Sequence, residues 1–252
     1  MSTVHVKNLM SELNLQGMLS AYEANYPIAT RDSWGHEDFI DVLVQSEYDY
    51  REKKRQENRI KNSKIRRSSF LEDFDFSAKR SINKTQVKDL STLKWLDQGR
   101  PLLLIGQTGV GKTFLAESIG HHACLNKKTV LFMDISTFLE NLALSRTSGG
   151  YLRYREKLSR PDLLILDDFG LRKFSSVEAQ DLCEILELRS GKKSTLITTQ
   201  LPLEHWMEVL TDPVIADAII DRLIHGSITL KITGDSYRKE KAKKLDGEKE
   251  EK

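Results

Sequence analysis

The stretch Gly106-Gln-Thr-Gly-Val-Gly-Lys-Thr113 decides how the rest of this sequence is interpreted. It has the pattern Gly-x-x-x-x-Gly-Lys-Thr, with the apolar run Leu102–Ile105 before it and a helical pattern from Phe114 after it. Glycines let backbone N–H groups turn inward around phosphates, and the positive end of a helix dipole favours the same anions. The stretch therefore predicts a phosphate-binding loop between a strand and a helix, the Walker A motif.

Each residue of this loop has an expected role. Lys112 is expected to reach the β- and γ-phosphates, and the hydroxyl group of Thr113 to bind Mg²⁺. The other predicted nucleotide contacts are Gly106, Gln107, Thr108, Gly109, Val110, Gly111 and Phe114. The loop thus implies ATP and Mg²⁺ as cofactors, although by itself it does not distinguish ATP from GTP.

A second apolar run, Leu163–Leu166, is followed at once by Asp167 and Asp168. A buried strand that ends in carboxylates is the Walker B arrangement. Asp167 is expected to hold Mg²⁺, directly or through water, and Asp168 to polarise the water that attacks the γ-phosphate. Because Asp is one methylene shorter than the Glu that many related ATPases carry there, a switch that binds ATP without hydrolysing it stays open.

The region from residue 101 to residue 232 alternates apolar runs with helical patterns. The runs are Leu102–Ile105, Val130–Met133, Leu163–Leu166, Thr195–Thr198 and Ile228–Ile232. Strands that alternate with helices predict an α/β fold, with a parallel five-stranded sheet covered by helices on both faces. Ligands of such sheets bind beyond the carboxyl ends of the strands, so the chemistry is expected just after Ile105, Leu166 and Thr198.

Three further residues are candidates for contacts to the nucleotide. Thr199 and Gln200 follow the fourth run and compete for one role, which is to hold the attacking water or sense the γ-phosphate; plain loop capping is the alternative. Arg222 lies late in a helical segment. Taken alone, its surroundings favour a surface salt bridge over a catalytic contact.

Composition narrows the class of protein. Of the 252 residues 39% are hydrophobic and 30% are charged, the net charge is +2, and the cysteines are Cys124 and Cys183. Without a CxxC pair, buried free thiols in a reducing compartment are expected. No apolar run approaches the roughly 20 residues that cross a bilayer, so we expect a cytoplasmic protein without membrane contact.

The chain divides into three predicted segments. Residues 1–67 are expected to form a small all-helical domain for partner or DNA contacts, and residues 68–238 the ATPase domain. Residues 239–252 form a charged tail that is expected to be disordered. Few residues follow position 238 in this sequence, so no full helical lid domain is expected.

The first segment has a helical pattern with one break. Apolar residues at helical spacing begin at Val6, the pattern breaks around Pro27 to Gly35, and a second helix is predicted from His36. This helix leads into residues 51–67, which hold nine Lys/Arg and two Glu and so have a local charge of 9 − 2 = +7. This local charge is not apparent from the net charge of the whole chain, which is only +2.

Basic residues in two places are candidates for contact with the phosphates of duplex DNA. Phosphate contacts position a protein on DNA but do not read the base sequence. The candidates are Lys53, Lys54 and Arg55 in the basic block, and Arg146, Arg153 and Arg155 in a stretch with two glycines. A solvated helix and a mobile surface loop are the respective alternatives. No recognition helix is apparent, so binding is expected to be largely independent of sequence.

Three short motifs identify a family more specifically than the Walker A loop does. They are Asp167-Asp-Phe-Gly170, Asp221-Arg-Leu223 and Gly234-Asp-Ser-Tyr-Arg238. With the Walker A loop before them, the chain resembles the AAA+ ATPases over nearly its whole length. It is most similar to the clade of the IstB transposition helpers and the DnaC/DnaI helicase loaders. The opening Leu15-Gln-Gly-Met18 and the phrase Thr198-Thr-Gln-Leu-Pro202 resemble IstB more than the loaders.

The resemblance implies a homo-oligomer that assembles on duplex DNA with its ATP sites at subunit interfaces. It further implies that the protein assists a cognate transposase in target selection and strand transfer of an insertion sequence, in the bacterial cytoplasm and on the nucleoid. Within such a site Arg222 would act as an arginine finger on the neighbouring subunit's ATP, and Arg238 would act as a second sensor of the nucleotide.

Two other functions share part of this pattern. A replicative helicase loader of the DnaC/DnaI type has the same core but would dock a helicase through its N-terminal domain. Loaders often carry a zinc-binding module there, and residues 1–67 contain no cysteine. A P-loop kinase for small molecules would need an acceptor pocket, whereas the Asp167-Asp168 pair favours hydrolysis.

Overall fold

The computed structural model describes residues 3–66, 69–74 and 81–234. The chain forms two compact units, one up to Asn58 and the other from Arg59 onward. This division falls inside a helix, whereas the predicted domain boundary at residue 67 lies outside the described residues. The predicted boundary therefore stays a prediction.

The first unit is helical, as predicted. It contains α1 (Thr3–Glu12), α2 (Gln16–Arg31) and most of α3 (His36–Ser63). Its small core is formed by buried and partly buried residues, namely Val6, Met10, Met18, Ala21, Tyr22, Phe39 and Leu43. The helical pattern predicted the helices and part of the faces that they bury, whereas Leu9 and Leu13 on the same pattern are exposed.

The break predicted around Pro27 to Gly35 is present, but it covers only residues 32–35, because α2 continues through Pro27 to Arg31. A proline inside a helix costs about 3 kcal/mol, since it removes a hydrogen bond and crowds the preceding turn. Aromatic rings pack beside this part of the helix: the rings of Tyr22 and Tyr26 stack with centroids 4.9 Å apart, and the ring centroids of Tyr26 and Phe39 are 6.2 Å apart. The interruption comes only between α2 and α3.

The second unit is built on the predicted sheet. The strands are β1 (Leu102–Gly106), β2 (Val130–Asp134), β3 (Leu163–Phe169), β4 (Ser194–Thr199) and β5 (Ile228–Ile232). They form one five-stranded sheet in the order β2-β3-β4-β1-β5, and every described pairing is parallel. Four of the five strands are buried along almost their whole length, which explains their continuous apolar runs.

Helices cover both faces of this sheet, which confirms the predicted layers. They are α4 (Lys84–Ser91), α5 (Lys94–Asp97), α6 (Lys112–Leu125), α7 (Ile135–Thr147), α8 (Tyr151–Ser159), α9 (Ser176–Arg189), α10 (Trp206–Val209) and α11 (Pro213–Ile224). The first three pack on one face, around Leu104 and Ile165, and the others on the opposite face, around Leu103 and Leu164. Among the described residues, no helix is both long and apolar enough to cross a membrane.

The strand order brings three strand ends together. Because β4 lies between β1 and β3, the loop after β1, the acids at the end of β3 and the polar end of β4 meet at one edge of the sheet. Gly106 has no room for a side chain, since a Cβ there would lie 2.2 Å from the carbonyl oxygen of Ile232 on β5. The close β1–β5 pairing therefore depends on this glycine.

Candidate active site

The phosphate-binding loop connects β1 to α6, in the predicted position. Gly109 and Gly111 have φ angles of +84° and +100°, which residues with a side chain rarely adopt. Val110 is buried in the core and holds the middle of the loop against the sheet, so only its backbone remains for a ligand. Gln107 and Thr108 are exposed at the mouth of the loop.

Lys112 opens α6 and is almost fully buried. Its Nζ donates a hydrogen bond to the carbonyl oxygen of Gln107, 3.0 Å away, which closes the loop on itself. Burial lowers the pKa of Lys112, and the negative charges of Asp168 and Asp167 act in the opposite direction. A phosphate would supply the negative partner that this desolvated ammonium group lacks.

Thr113 and Asp167 come together across the loop, as a Mg²⁺ site requires. The Thr113 hydroxyl donates to the two carboxylate oxygens of Asp167 at 3.1 and 2.9 Å. Only 3% of Asp167 is exposed, and burial raises its pKa although a bond from Thr198 opposes the shift. One hydroxyl and one carboxylate side by side are the hard oxygen donors that Mg²⁺ prefers, and they leave room for water and phosphate ligands.

Thr198 joins this pair, and the sequence interpretation missed it. Its hydroxyl donates to Oδ1 of Asp167 and accepts the backbone N–H of Asp168 at 3.0 Å. Thr198 is fully buried at the end of β4, opposite Leu104 of β1. The sequence signal was weak, because β4 carries hydroxyl groups at four of its six positions and nothing in the sequence shows which of them faces the acids of β3.

The two residues predicted for this polar role lie elsewhere. The hydroxyl of Thr199 donates to the carbonyl oxygen of Phe169 and accepts the N–H of Leu201, so it caps the loop. Gln200 is exposed and lines a cavity of about 300 Å³ beside Gly106 and Gln107. The contact to Asp167 therefore belongs to Thr198, and a catalytic role for Gln200 stays a prediction.

Asp168 has a left-handed backbone, with a φ angle of +58°. It lies where the pairing of β3 with β4 is irregular, between Leu166 and Phe169. A non-glycine residue in this region is strained, and such strain is concentrated at functional sites. The negative charge of Asp168 raises the pKa of Lys112, against the effect of burial.

Arg222 is located at the opposite edge of the sheet from Lys112. It lines a cavity together with Gly99 and Arg100, which precede β1, whereas the loop follows the other end of β1. Its guanidinium contacts the carboxylate of Glu187, and its Nη1 donates to the carbonyl oxygen of Ala218 at 2.7 Å. The salt bridge expected from the sequence alone is thus present. Arg238 lies outside the described residues.

Two of the predicted DNA contacts, Arg146 and Arg155, belong to an internal network. Arg146 pairs with the buried Asp181 and lies over the ring of Tyr151, 4.0 Å from its centroid. Arg155 pairs with Glu184 at 2.9 Å, and the Tyr151 hydroxyl donates to both acids. These ion pairs compete with phosphate contacts, and the contact of Arg146 and Arg155 with DNA stays a prediction.

The remaining predicted DNA contacts are exposed. Arg153 lies on α8, where it is exposed to solvent. Lys53, Lys54 and Arg55 are exposed on α3, with Arg55 3.5 Å from Glu52. Their contact with DNA stays a prediction.

Comparison with known proteins agrees with this geometry. The model of the IstB-like ATP binding protein family matches residues 8–245. An insertion sequence ATP-binding protein of Sinorhizobium fredii is 34% identical over 93% of this chain and 96% of its own length. The corresponding protein of insertion sequence IS21 from Pseudomonas aeruginosa is 32% identical over 93% of this chain and 89% of its own length.

Solved structures agree on the fold. A crystal structure of the DnaC helicase loader superimposes with a TM-score of 0.55 and 20% identity over 66% of this chain and 97% of that one. The fold and site define a P-loop ATPase. The chain belongs to the IstB-like ATP-binding family, and its curated relatives include the ATP-binding proteins of insertion sequences described above.

Proposed function

We propose that this ATPase assembles as a homo-oligomer on duplex DNA, with ATP sites shared between subunits, and assists a cognate transposase in target selection and strand transfer. The main support for this proposal is that the predicted site residues lie in two separate places on one subunit. Lys112, Thr113 and Asp167 lie at one edge of the sheet, and Arg222 lies at the other.

Binding and hydrolysis are assigned to residues at the loop edge. Lys112 holds the β- and γ-phosphates, and Thr113 and Asp167 hold Mg²⁺, which neutralises phosphate charge. Asp168 accepts a proton from water as the water oxygen attacks the γ-phosphorus and the bond to the β–γ bridging oxygen breaks. The Thr198 hydroxyl hydrogen-bonds both the Asp167 carboxylate and the backbone N–H of Asp168, and so fixes their relative positions. Replacing Asp168 by Asn should abolish turnover and preserve ATP binding.

Arg222 completes the site of a neighbouring subunit. β1 alone, from Leu102 to Gly106, separates the two edges by roughly 13 Å. Within one subunit the guanidinium therefore does not reach the γ-phosphate. An arginine supplied by a second copy accounts for both its position and its partial exposure of 27%, and arginine fingers in trans are worth factors of about 10³ or more in rate.

A mixing experiment tests the shared site. The Lys112→Ala variant loses nucleotide binding but keeps Arg222. The Arg222→Ala variant keeps nucleotide binding but loses the arginine. Each variant alone should hydrolyse almost no ATP in the presence of duplex DNA. Mixed, they should recover a substantial part of the wild-type rate, because some interfaces then pair an intact loop with an intact arginine. A mixture as inactive as its components would refute the shared site.

The role in transposition is supported by the relatives rather than by the geometry. The curated proteins above 30% identity belong to insertion sequences, whereas the helicase loader resembles this chain at the level of fold. The cytoplasm, where ATP, DNA and transposase meet, is the location that this function requires. Co-purification with the transposase encoded beside the gene, compared with the replicative helicase, separates the two functions.

A further inference from the structure

The salt bridge between Glu187 and Arg222 connects two helices that pack side by side. Glu187 is on α9 and Arg222 on α11, and both helices bury apolar residues in the same core. The pair itself is at the surface, with 60% of the Glu187 side chain and 27% of the Arg222 side chain exposed. A surface salt bridge of this kind contributes little to the stability of the fold. Its main effect is therefore to fix the orientation of the Arg222 side chain.

Within the part of the chain that the structure describes, the contacts of the guanidinium leave one edge free. Nε and Nη2 of Arg222 both contact Oε2 of Glu187, and Nη1 donates to the carbonyl oxygen of Ala218. Each terminal nitrogen of a guanidinium has a pair of N–H groups, and here each uses one. One N–H on Nη1 and one on Nη2 remain, which is the arrangement that binds two oxygens of a phosphate together.

The space around this edge suits a phosphate. Arg222 lines two surface cavities of about 350 and 340 Å³. Arg100, Lys193 and His225 share the first cavity with it. Lys193 is already paired with Asp162 at 2.5 Å, and Arg100 donates to the carbonyl oxygen of Gly226 at 2.7 Å. Asp221 is the acidic residue in the lining of the first cavity, whereas Glu184 and Glu187 line the second. The first cavity therefore has an excess of basic side chains, which attracts anions to that side of Arg222.

We propose that Glu187 is a positioning residue, which holds the Arg222 guanidinium with its free edge directed at the triphosphate of the neighbouring subunit. This inference rests on the shared site proposed above. Holding the planar group by two contacts before assembly means that less rotational freedom is lost when the phosphate binds. Without Glu187, Arg222 would sample several rotamers and the assembled site would turn over more slowly.

The mixing experiment isolates this effect, because the subunit with Lys112→Ala acts only as a donor of the arginine. Four donors, all with Lys112→Ala, are mixed with the Arg222→Ala acceptor on duplex DNA: one without a further change, and one each with Glu187→Gln, Glu187→Asp or Glu156→Gln. Glu156 on α8 forms an exposed ion pair with Arg160, so the Glu156→Gln donor controls for the removal of one surface pair. Saturating donor concentrations are used, and kcat and KM for ATP are measured separately.

The donor with Glu187→Gln should lower the restored kcat about tenfold and leave KM for ATP unchanged, while the Glu156→Gln donor restores the full rate. Glu187→Asp in the donor should recover part of the rate, since it retains the carboxylate. Equal restoration by all donors would overturn the proposal, and so would a higher rate with Glu187→Gln, which would make Glu187 a restraint on Arg222. If even the Lys112→Ala donor restores nothing, the shared site itself fails and this inference fails with it.

Discussion

At the residue scale, Asp167 combines a catalytic role with a cost in stability. It is a nearly buried carboxylate whose neighbours Asp168 and Asp134 carry the same charge, and burial raises its pKa. Such a group stabilises the folded protein less when ionised than when neutral. The negative charge of Asp167 has a favourable partner only when Mg²⁺ and ATP are bound.

Asp167→Asn should therefore stabilise the nucleotide-free protein while it abolishes Mg²⁺-dependent ATP hydrolysis. We expect a gain of on the order of 1 kcal/mol at pH 7.5, or roughly 2–4 °C in Tm. A carboxyl group with a raised folded pKa stabilises fully below its unfolded pKa and loses this contribution as pH rises through the folded value. The gain should accordingly disappear towards pH ~4, where Asp167 itself is protonated. Thermal melts across this pH range check it; a lower Tm at pH 7.5 would contradict it.

Thr198 acts through its hydroxyl, which links the Asp167 carboxylate to the backbone N–H of Asp168. Thr198→Val keeps the shape of the side chain but removes both bonds. We expect kcat for ATP to fall by about 10- to 100-fold, with a much smaller change in ATP affinity. Thr229→Val, an exposed threonine on β5, is the matched control. Equal rates for the two variants would assign the sensor role to another residue such as Gln200.

At the element scale, the sequence predicted the strands and the loop well, because a fully buried strand leaves a continuous apolar run. The sheet order was not predictable from these runs, and so the location of Thr198 between β1 and β3 was not either. The break predicted around Pro27 to Gly35 comes only after Arg31, because the local preference of one proline does not decide where a packed helix ends. The partners of Arg146 and Arg155 come from α9, far along the chain, and no local pattern indicates them.

Gly106 shows how closely β1 and β5 approach. Gly106→Ala would place a Cβ 2.2 Å from the Ile232 carbonyl oxygen, so β5 must move. Overpacking of this kind costs about 1–3 kcal/mol, and we expect a lower Tm together with weaker ATP binding. In Gly150→Ala the nearest atoms would be 3.6 and 3.9 Å away, so it controls for the replacement of a glycine. An unchanged Tm for Gly106→Ala would contradict the close pairing.

At the scale of the whole molecule, the basic block on α3 is the strongest remaining candidate for DNA contact. Changing Lys53, Lys54 and Arg55 together to Gln should weaken binding to every duplex sequence alike. The slope of log affinity against log salt should become shallower by roughly 0.9 for each DNA phosphate that these side chains no longer neutralise. Changing the exposed Lys88, Lys94 and Lys127 to Gln removes the same charge elsewhere. Equal slopes for the two triple variants would exclude the block as the contact surface.

The central claim is that ATP bound at Gly106–Thr113 drives assembly on DNA, and sedimentation velocity tests it most directly. The full-length protein is examined alone, with a slowly hydrolysed ATP analogue and Mg²⁺, with duplex DNA, and with all of them together. We predict that one large, discrete complex forms only in the last mixture, and that Lys112→Ala does not form it. A monomer under every condition, or a complex of the same size without nucleotide, would contradict the account.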